Sequence, residues 1–351
     1  MSAIAGNALQ SAIHKLAFRE PLTADDAKAA FDIVMQGQAS AVQIAALLSS
    51  LRAAGESPEV VAGVVRALRD AMVSLPAEDP SSLVDTCGTG GGSVSTFNIS
   101  TAAAIVAAGA GVRIAKHGNR SFTSKCGSAD VLEALGVPIE VPVAVMERAL
   151  AEAGIVFMFA PLMHPAMKHV GPVRRELAIP TVMNIVGPLA NPARAGRQVV
   201  GVADLERAPV LAGALNHLGT VHALVVHGEP GLDEVSPLGP THVIEVRRGT
   251  TSRWTIHPAD YGFDRIERDD LAGSTPSDNA QLITDLLEGR GSRGARAAVV
   301  LNAAAAIYVS GRVESYADGV KRAADSLDDG AAAKVLERLR RAYTKPFATA
   351  T

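Results

Sequence analysis

The chain has 351 residues, 48% of them hydrophobic and 20% charged, which is enough to bury a large core in one or two domains. Its formal net charge is −3, from 33 basic and 36 acidic residues, so no global positive field draws it to nucleic acid or to an anionic membrane, and any anion has to be bound locally. The two cysteines, Cys87 and Cys126, exclude a disulfide scaffold and a thiolate zinc site, no apolar run reaches the roughly 20 residues of a membrane span, and Met1–Gln10 lacks an export signal, so a cytoplasmic enzyme is expected.

The first 75 residues predict four short helices, with apolar residues at three and four spacing. Start signals recur: Thr23 with Asp26, Ser40 with Gln43, and Ser57 before Pro58 and Glu59. After a linker over Pro76–Ser82, strands are expected at Leu83–Asp85, Val112–Lys116, Ile155–Phe159, Gln198–Val202, Ala223–His227 and His242–Val246. Helices are expected between them at Ile99–Gly109, Ser128–Gly136, Val143–Gly154 and Leu205–Leu218. This alternation predicts an α/β fold, a small all-helical domain (1–75) followed by a larger α/β domain (76–351) whose mostly parallel sheet is flanked by helices. The proline-rich stretch 165–192 is expected to return partly to the helical domain, and the tail reads as helices at Asn279–Leu287, Ala295–Val309, Ser315–Ser326 and Gly330–Ala342.

Two clusters carry chemistry. Gly88-Thr89-Gly90-Gly91-Gly92-Ser93 follows a strand and precedes Thr96, Asn98, Ile99, Ser100 and Thr101, which open an alanine-rich helix. Glycines let an anion approach main-chain N–H groups, and a helix N-terminus adds orphan donors, so a phosphate site is expected here; the alternative is a tight turn with Asn98 or Ser100 as a cap. Lys116-His117-Gly118-Asn119-Arg120-Ser121, with Phe122, Thr123 and Ser124, sits at the carboxyl end of the next strand, where ligands bind in open α/β sheets. Lys116 and Arg120 bring positive charge, the hydroxyls bring donors, and Ser128 is expected to cap the following helix. A Gly289–Gly294 string matches G-x-G-x-x-G but follows a helix rather than a strand, so it reads as a surface loop. His117 and His164 read as structural donors, and His164 with His169 lacks zinc spacing.

Three segments, Asp85–Thr101, Lys116–Gly136 and Asn184–Arg194 with its Gly187-Pro188-Leu189-Ala190-Asn191-Pro192 run, resemble the anthranilate phosphoribosyltransferase family of tryptophan biosynthesis, and the resemblance spans essentially the whole chain. It implies transfer of a phosphoribosyl group from 5-phosphoribosyl 1-diphosphate to the amine of anthranilate, with Mg²⁺ (two ions), in a cleft between a helical and an α/β domain of a homodimer. Carried onto this chain, it implies that Gly88, Gly91, Gly92, Thr96, Asn98–Thr101, Lys116–Ser124 and Ser128 hold the phosphoribosyl diphosphate. Gly88, Asn119 and Arg174 would meet anthranilate, while Ser100 and the pair Asp233 and Glu234 would ligate magnesium. Hard Mg²⁺ takes oxygen ligands and keeps phosphates and waters, so few carboxylates suffice; Arg174 suits a planar carboxylate. No single general base is required. Gly92 departs from the family pattern, which usually has aspartate there. The competing readings are a pyrimidine nucleoside phosphorylase, disfavoured by Asp233-Glu234 and the 184–194 run, and a non-enzymatic nucleic-acid binder, disfavoured by neutral charge and 4% aromatics.

Overall fold

The computed structural model describes residues 7–121 and 125–345. Its first four helices are α1 (Ala8–Ala17), α2 (Ala24–Met35), α3 (Ala41–Ala54) and α4 (Pro58–Ala71). Each starts where the sequence supplies a cap: Asn7, Thr23, Ser40 and Ser57 accept the backbone N–H of Gln10, Asp26, Gln43 and Val60. In the first three the N3 side chain also reaches back to the cap's own amide, so two orphan donors are satisfied together.

A seven-stranded sheet follows, comprising β1 (Val84–Gly88), β2 (Ile114–Gly118), β3 (Ile155–Phe159), β4 (Arg197–Gly201), β5 (His222–Gly228), β6 (Thr241–Arg247) and β7 (Thr250–Ile256). The spatial order is β3-β2-β1-β4-β5-β6-β7; the first five strands run parallel, and β6 and β7 add on antiparallel. Six of the strands lie within three residues of their predicted positions. The seventh, β7, has no predicted counterpart: it is an edge strand whose Thr250-Thr251-Ser252-Arg253 half faces water and carries no apolar alternation.

The other helices are α5 (Ile99–Gly109), α6 (Ser128–Ala134), α7 (Val143–Ala153), α8 (Ala160–Met163), α9 (Gly171–Leu177), α10 (Met183–Val186), α11 (Ala208–His217), α12 (Pro276–Leu287), α13 (Arg293–Val309), α14 (Tyr316–Asp328) and α15 (Ala331–Thr344). The Gly289–Gly294 string joins α12 to α13. None of the described helices is long and apolar enough to cross a membrane.

Side-chain alternation along β5 divides the core in two. Leu224 and Val226 belong to the cluster that takes in α5, α7, α13 and α15, whereas Ala223 and Val225 join a second cluster. That second cluster runs through Leu211 and Leu215 of α11 into the N-terminal bundle and takes in Val170, Val173, Val182 and Met183 from the proline-rich stretch. On the first side, α5 packs directly on α13, and the alanines of both helices let their backbones approach closely. The consequence for the site lies at the carboxyl edge of the sheet, where β1, β2, β4 and β5 all end in glycine.

Candidate functional site

Those terminal glycines make room for an acidic segment. A Cβ on Gly201 would lie 1.7 Å from the Asp233 carbonyl oxygen, one on Gly88 2.4 Å from Asp233 Oδ2, and one on Gly228 2.5 Å from the Glu234 carbonyl oxygen. The loop carrying Asp233 and Glu234 therefore lies directly across three bare strand ends. The glycine loop is stitched to it: Gly90 N–H donates to Asp233 Oδ2 at 2.7 Å, Ser93 N–H to the Gly231 carbonyl at 3.0 Å, and Ser93 Oγ to the Pro230 carbonyl at 2.6 Å. Gly90 and Gly91 have φ of +73° and +82°, a region open to glycine at little cost. The N–H groups of Gly91 and Gly92 make no hydrogen bond to a described residue and stand available as donors. A Cβ on Gly92 would stand 3.0 Å from the Gly231 carbonyl, a tight contact, and 3.4 Å from Asp233 Oδ1.

The N-terminus of α5 is used differently from the expectation of open donors. Ser100 N–H donates to Glu234 Oε1 at 3.2 Å and Ile99 N–H to the Phe97 carbonyl at 2.7 Å, so the positive end of the helix dipole faces a carboxylate of the chain itself. Asn98 occupies the cap position without capping: its Nδ2 donates to the Cys126 carbonyl at 3.1 Å and its Oδ1 accepts from Asn279 Nδ2 at 3.0 Å. Thr96 forms a strand-like bridge with Ala272, and Thr101 Oγ1 is buried with no partner among the described residues.

Of the two cations of the second cluster, Lys116 is buried and Arg120 is exposed. Lys116 is 3% exposed; its Nζ donates to the Thr86 carbonyl and, at 3.2 Å, to Ser100 Oγ, behind the glycine loop rather than in front of it. Burial pulls its pKa down, against the pull of Asp85 and Glu234. Arg120 reaches toward α6, 3.0 Å from Asp130 and 2.5 Å from Glu133, with its guanidinium 5.5 Å over the Phe159 ring. In this ligand-free arrangement Lys116 is held by oxygen atoms of the chain and Arg120 by the acids of α6. Ser128 is not the cap of α6 but its first residue, with Gly127 at the cap position, and its hydroxyl donates to the Asn119 carbonyl at 3.2 Å. Gly118 is required there, since a Cβ on it would meet Ser128 Oγ at 2.2 Å. Asn119 Oδ1 accepts from Arg120 N–H at 2.8 Å, and Ser121 N–H donates to Asp130 Oδ2 at 3.2 Å. Phe122, Thr123 and Ser124 lie outside the described residues.

Asp233 and Glu234 are both partly exposed, and burial pushes both carboxyls up, Glu234 to about 8 with the neighbouring Asp233 charge adding to the effect. With Ser100 they form an oxygen-only donor set. Among the described residues no group of three or more His, Cys, Asp or Glu could cage a metal by itself. Such a set fits a hard cation that keeps waters and substrate phosphates, and does not fit zinc.

Profiles of the "Glycosyl transferase family, helical bundle domain" and the "Glycosyl transferase family, a/b domain" match residues 10–72 and 80–333. The anthranilate phosphoribosyltransferase of Rubrobacter xylanophilus is 49% identical over 333 residues, 95% of this chain and 97% of that protein. The chain belongs to the anthranilate phosphoribosyltransferase family. The crystal structure of the Thermus thermophilus anthranilate phosphoribosyltransferase superposes with a TM-score of 0.90 at 41% identity, covering 95% of this chain and 99% of that one. The Saccharomyces cerevisiae enzyme in complex with PRPP and Mg superposes with a TM-score of 0.87 at 27% identity, covering 96% and 98%.

Among anthranilate phosphoribosyltransferase residues assigned by resemblance, Arg174 separates from its neighbour in the structure. It is half-buried on α9, its guanidinium makes no hydrogen bond or ion pair to a described residue, and burial alone lowers its pKa, whereas Arg175 is exposed. The rings of His117 and His164 lie 4.9 Å apart, each with a buried Nε2 that has no partner among the described residues. Burial drives His117 well below its usual range and His164 to about 4, so both are neutral at pH 7. Sequence reasoning passed over Asp85 and the role of Asn191. Fully buried Asp85 accepts from His117 N–H at 3.1 Å and from Asn191 Nδ2 at 2.7 Å, while Asn191 also donates to the Ala115 carbonyl at 2.8 Å. The signal was present: a polar residue amid the apolar Leu83-Val84 start of a buried strand needs a partner. Gly201 and Gly228 were likewise readable as glycines closing predicted strands.

Proposed function

We propose that this chain transfers the 5-phosphoribosyl group of 5-phosphoribosyl 1-diphosphate to the amine of anthranilate, releasing pyrophosphate, as its family motifs imply. The observation that carries the reading is the pairing of a glycine loop, with the available amides of Gly91 and Gly92, against the Asp233-Glu234 carboxylates. Gly88, Gly91, Gly92, Thr96, Asn98–Thr101, Lys116–Ser121, Ser128 and the 122–124 segment form the proposed phosphoribosyl diphosphate site, and Gly88, Asn119 and Arg174 the anthranilate site. Ser100 would hold one Mg²⁺ and Asp233 with Glu234 a second; when bound, the ions neutralise charge on the diphosphate leaving group.

The chain's own part is positional. Gly91 and Gly92 offer preorganised N–H donors to leaving-group oxygens, which gain charge as the anomeric bond breaks. Lys116 acts from behind, fixing Ser100 and the end of β1 through its two hydrogen bonds. Arg174 and Asn119 orient the anthranilate carboxylate and amine for attack. An aniline nitrogen carries a free lone pair and becomes acidic once bonded, so the site needs no strong base, in keeping with the burial that lowers the basicity of His117 and His164.

The helical domain (1–75, joined by part of 165–192) and the α/β domain (76–351) would flank this cleft, in a cytoplasmic homodimer. The test is loss of anthranilate fluorescence on mixing the protein with anthranilate, 5-phosphoribosyl 1-diphosphate and Mg²⁺. No loss, with an active enzyme as control, refutes the assignment.

A further inference from the structure

Asn302 lies in the middle of α13, 3% exposed, on a helix otherwise packed with alanine and aliphatic side chains. Its Oδ1 accepts from Val235 N–H at 2.8 Å, and its Nδ2 donates to the Val235 carbonyl at 2.8 Å and to the Ala298 carbonyl at 2.9 Å. One primary amide thus grips both polar groups of a single residue, the exchange that two antiparallel strands make, but from a rigid helix. Val235 directly follows Glu234. On the strand side the same segment is tied by the bridge between Gly228 and Leu232, and beyond it Ser236 N–H donates to Thr241 Oγ1 at 2.9 Å. A buried amide costs desolvation that an aliphatic residue at this position would avoid, and two of its three hydrogen bonds go to fixing one loop.

We propose that Asn302 is a positioning residue that sets where the Asp233 and Glu234 carboxylates stand against the glycine loop, and thereby governs divalent-cation binding. This rests on the reading of those carboxylates as magnesium ligands. N302D keeps the shape but turns an oxygen toward the Val235 and Ala298 carbonyls; N302T is smaller and removes the double grip with less charge perturbation. The full chain is titrated with Mn²⁺ in the presence of 5-phosphoribosyl 1-diphosphate and without anthranilate, with bound metal read by electron paramagnetic resonance. Removing the support of a metal ligand weakens affinity by about 10–100-fold, and a loss of that size is expected in both variants. The half-saturating Mg²⁺ for turnover rises in parallel while the anthranilate KM stays within about twofold, a split that general loss of stability does not produce.

S326A serves as the comparison: it loses a buried hydrogen bond to the Val106 carbonyl of 2.8 Å in the same core and is expected to lower Tm with Mn²⁺ affinity unchanged. If N302D does not fold, N302T decides. Mn²⁺ affinity within about twofold of wild type in a folded variant, or an equal loss in S326A, overturns the positioning role. If the wild-type chain binds no Mn²⁺ with the diphosphate and forms no product, the reading of the carboxylates fails and this inference falls with it.

Discussion

Gly201→Ala is the sharpest perturbation the sheet edge allows. The new Cβ would stand 1.7 Å from the Asp233 carbonyl oxygen, so the carbonyl has to retreat by about 1.7 Å to reach ordinary van der Waals contact near 3.4 Å. β4 is hydrogen-bonded on both sides, to β1 and β5, and cannot yield; the acidic loop moves instead. A misplacement of about 1 Å in a catalytic constellation costs on the order of 100-fold, so kcat/KM should fall by at least that much, about 2.7 kcal/mol of transition-state stabilisation. Overpacking should also remove about 1–3 kcal/mol of stability. Gly109→Ala separates the two effects: its Cβ would meet Ser326 Oγ at 2.2 Å and Ala332 N at 2.8 Å, but at the far end of α5, roughly 14 Å along the helix from Ser100. Steady-state assays normalised to folded protein by circular dichroism, with urea midpoints for both variants, are the measurement. Near wild-type kcat/KM in folded Gly201→Ala, or an equal loss in Gly109→Ala, would refute the reasoning.

Glu234→Gln should raise Tm while removing turnover. Burial and Asp233 push the Glu234 carboxyl to about 8, above its usual 4.5, so its contribution to stability is present below pH 4.5 and lost as the pH rises through 8. The gain from glutamine, measured in EDTA, should therefore be larger at pH 9 than at pH 6; equal gains would contradict the assignment. Arg174→Ala should raise the anthranilate KM by about tenfold or more, the worth of one charge-assisted hydrogen bond, and leave the KM for 5-phosphoribosyl 1-diphosphate nearly unchanged, as initial rates will show. Asn191→Leu strips a hydrogen bond from Asp85, whose carboxyl burial raises to about 6, and should cost about 3 kcal/mol. Asp85 favours the fold most below pH 3.8 and loses that contribution as the pH climbs through 6, so denaturant melts should show a larger deficit for this variant at pH 8 than at pH 5.

Much of the scaffold is legible in the chain because burial writes its own pattern. Ile155–Phe159 is a continuous apolar run, as a strand covered on both faces must be, and the Thr23 and Ser40 capping boxes mark helix starts to the residue. β7 escapes because an edge strand in water needs no such pattern. The site divides in the same way. The glycine run and the Asp233-Glu234 pair stand out locally, as flexibility and charge at strand ends. Which donor meets which acceptor does not, because Ser100 and Glu234, or Asn302 and Val235, are brought together only by the assembled fold. The partners of Lys116 and Arg120 are equally hidden: each is a cation beside a glycine in the sequence, and only the fold brings one to the Thr86 carbonyl and Ser100 hydroxyl and the other to the acids of α6.

The four strand ends in glycine carry a consequence for how this molecule can change. Gly88, Gly201 and Gly228 specify the seat of the two carboxylates by atoms they lack, and Gly118 does the same for Ser128. A seat built from contacts can be retuned by exchanging one side chain for another; a seat built from omissions cannot, because every substitution adds matter to occupied space. Variation at this edge is thereby channelled into the loops that rest on it, while the ledge beneath them is held fixed.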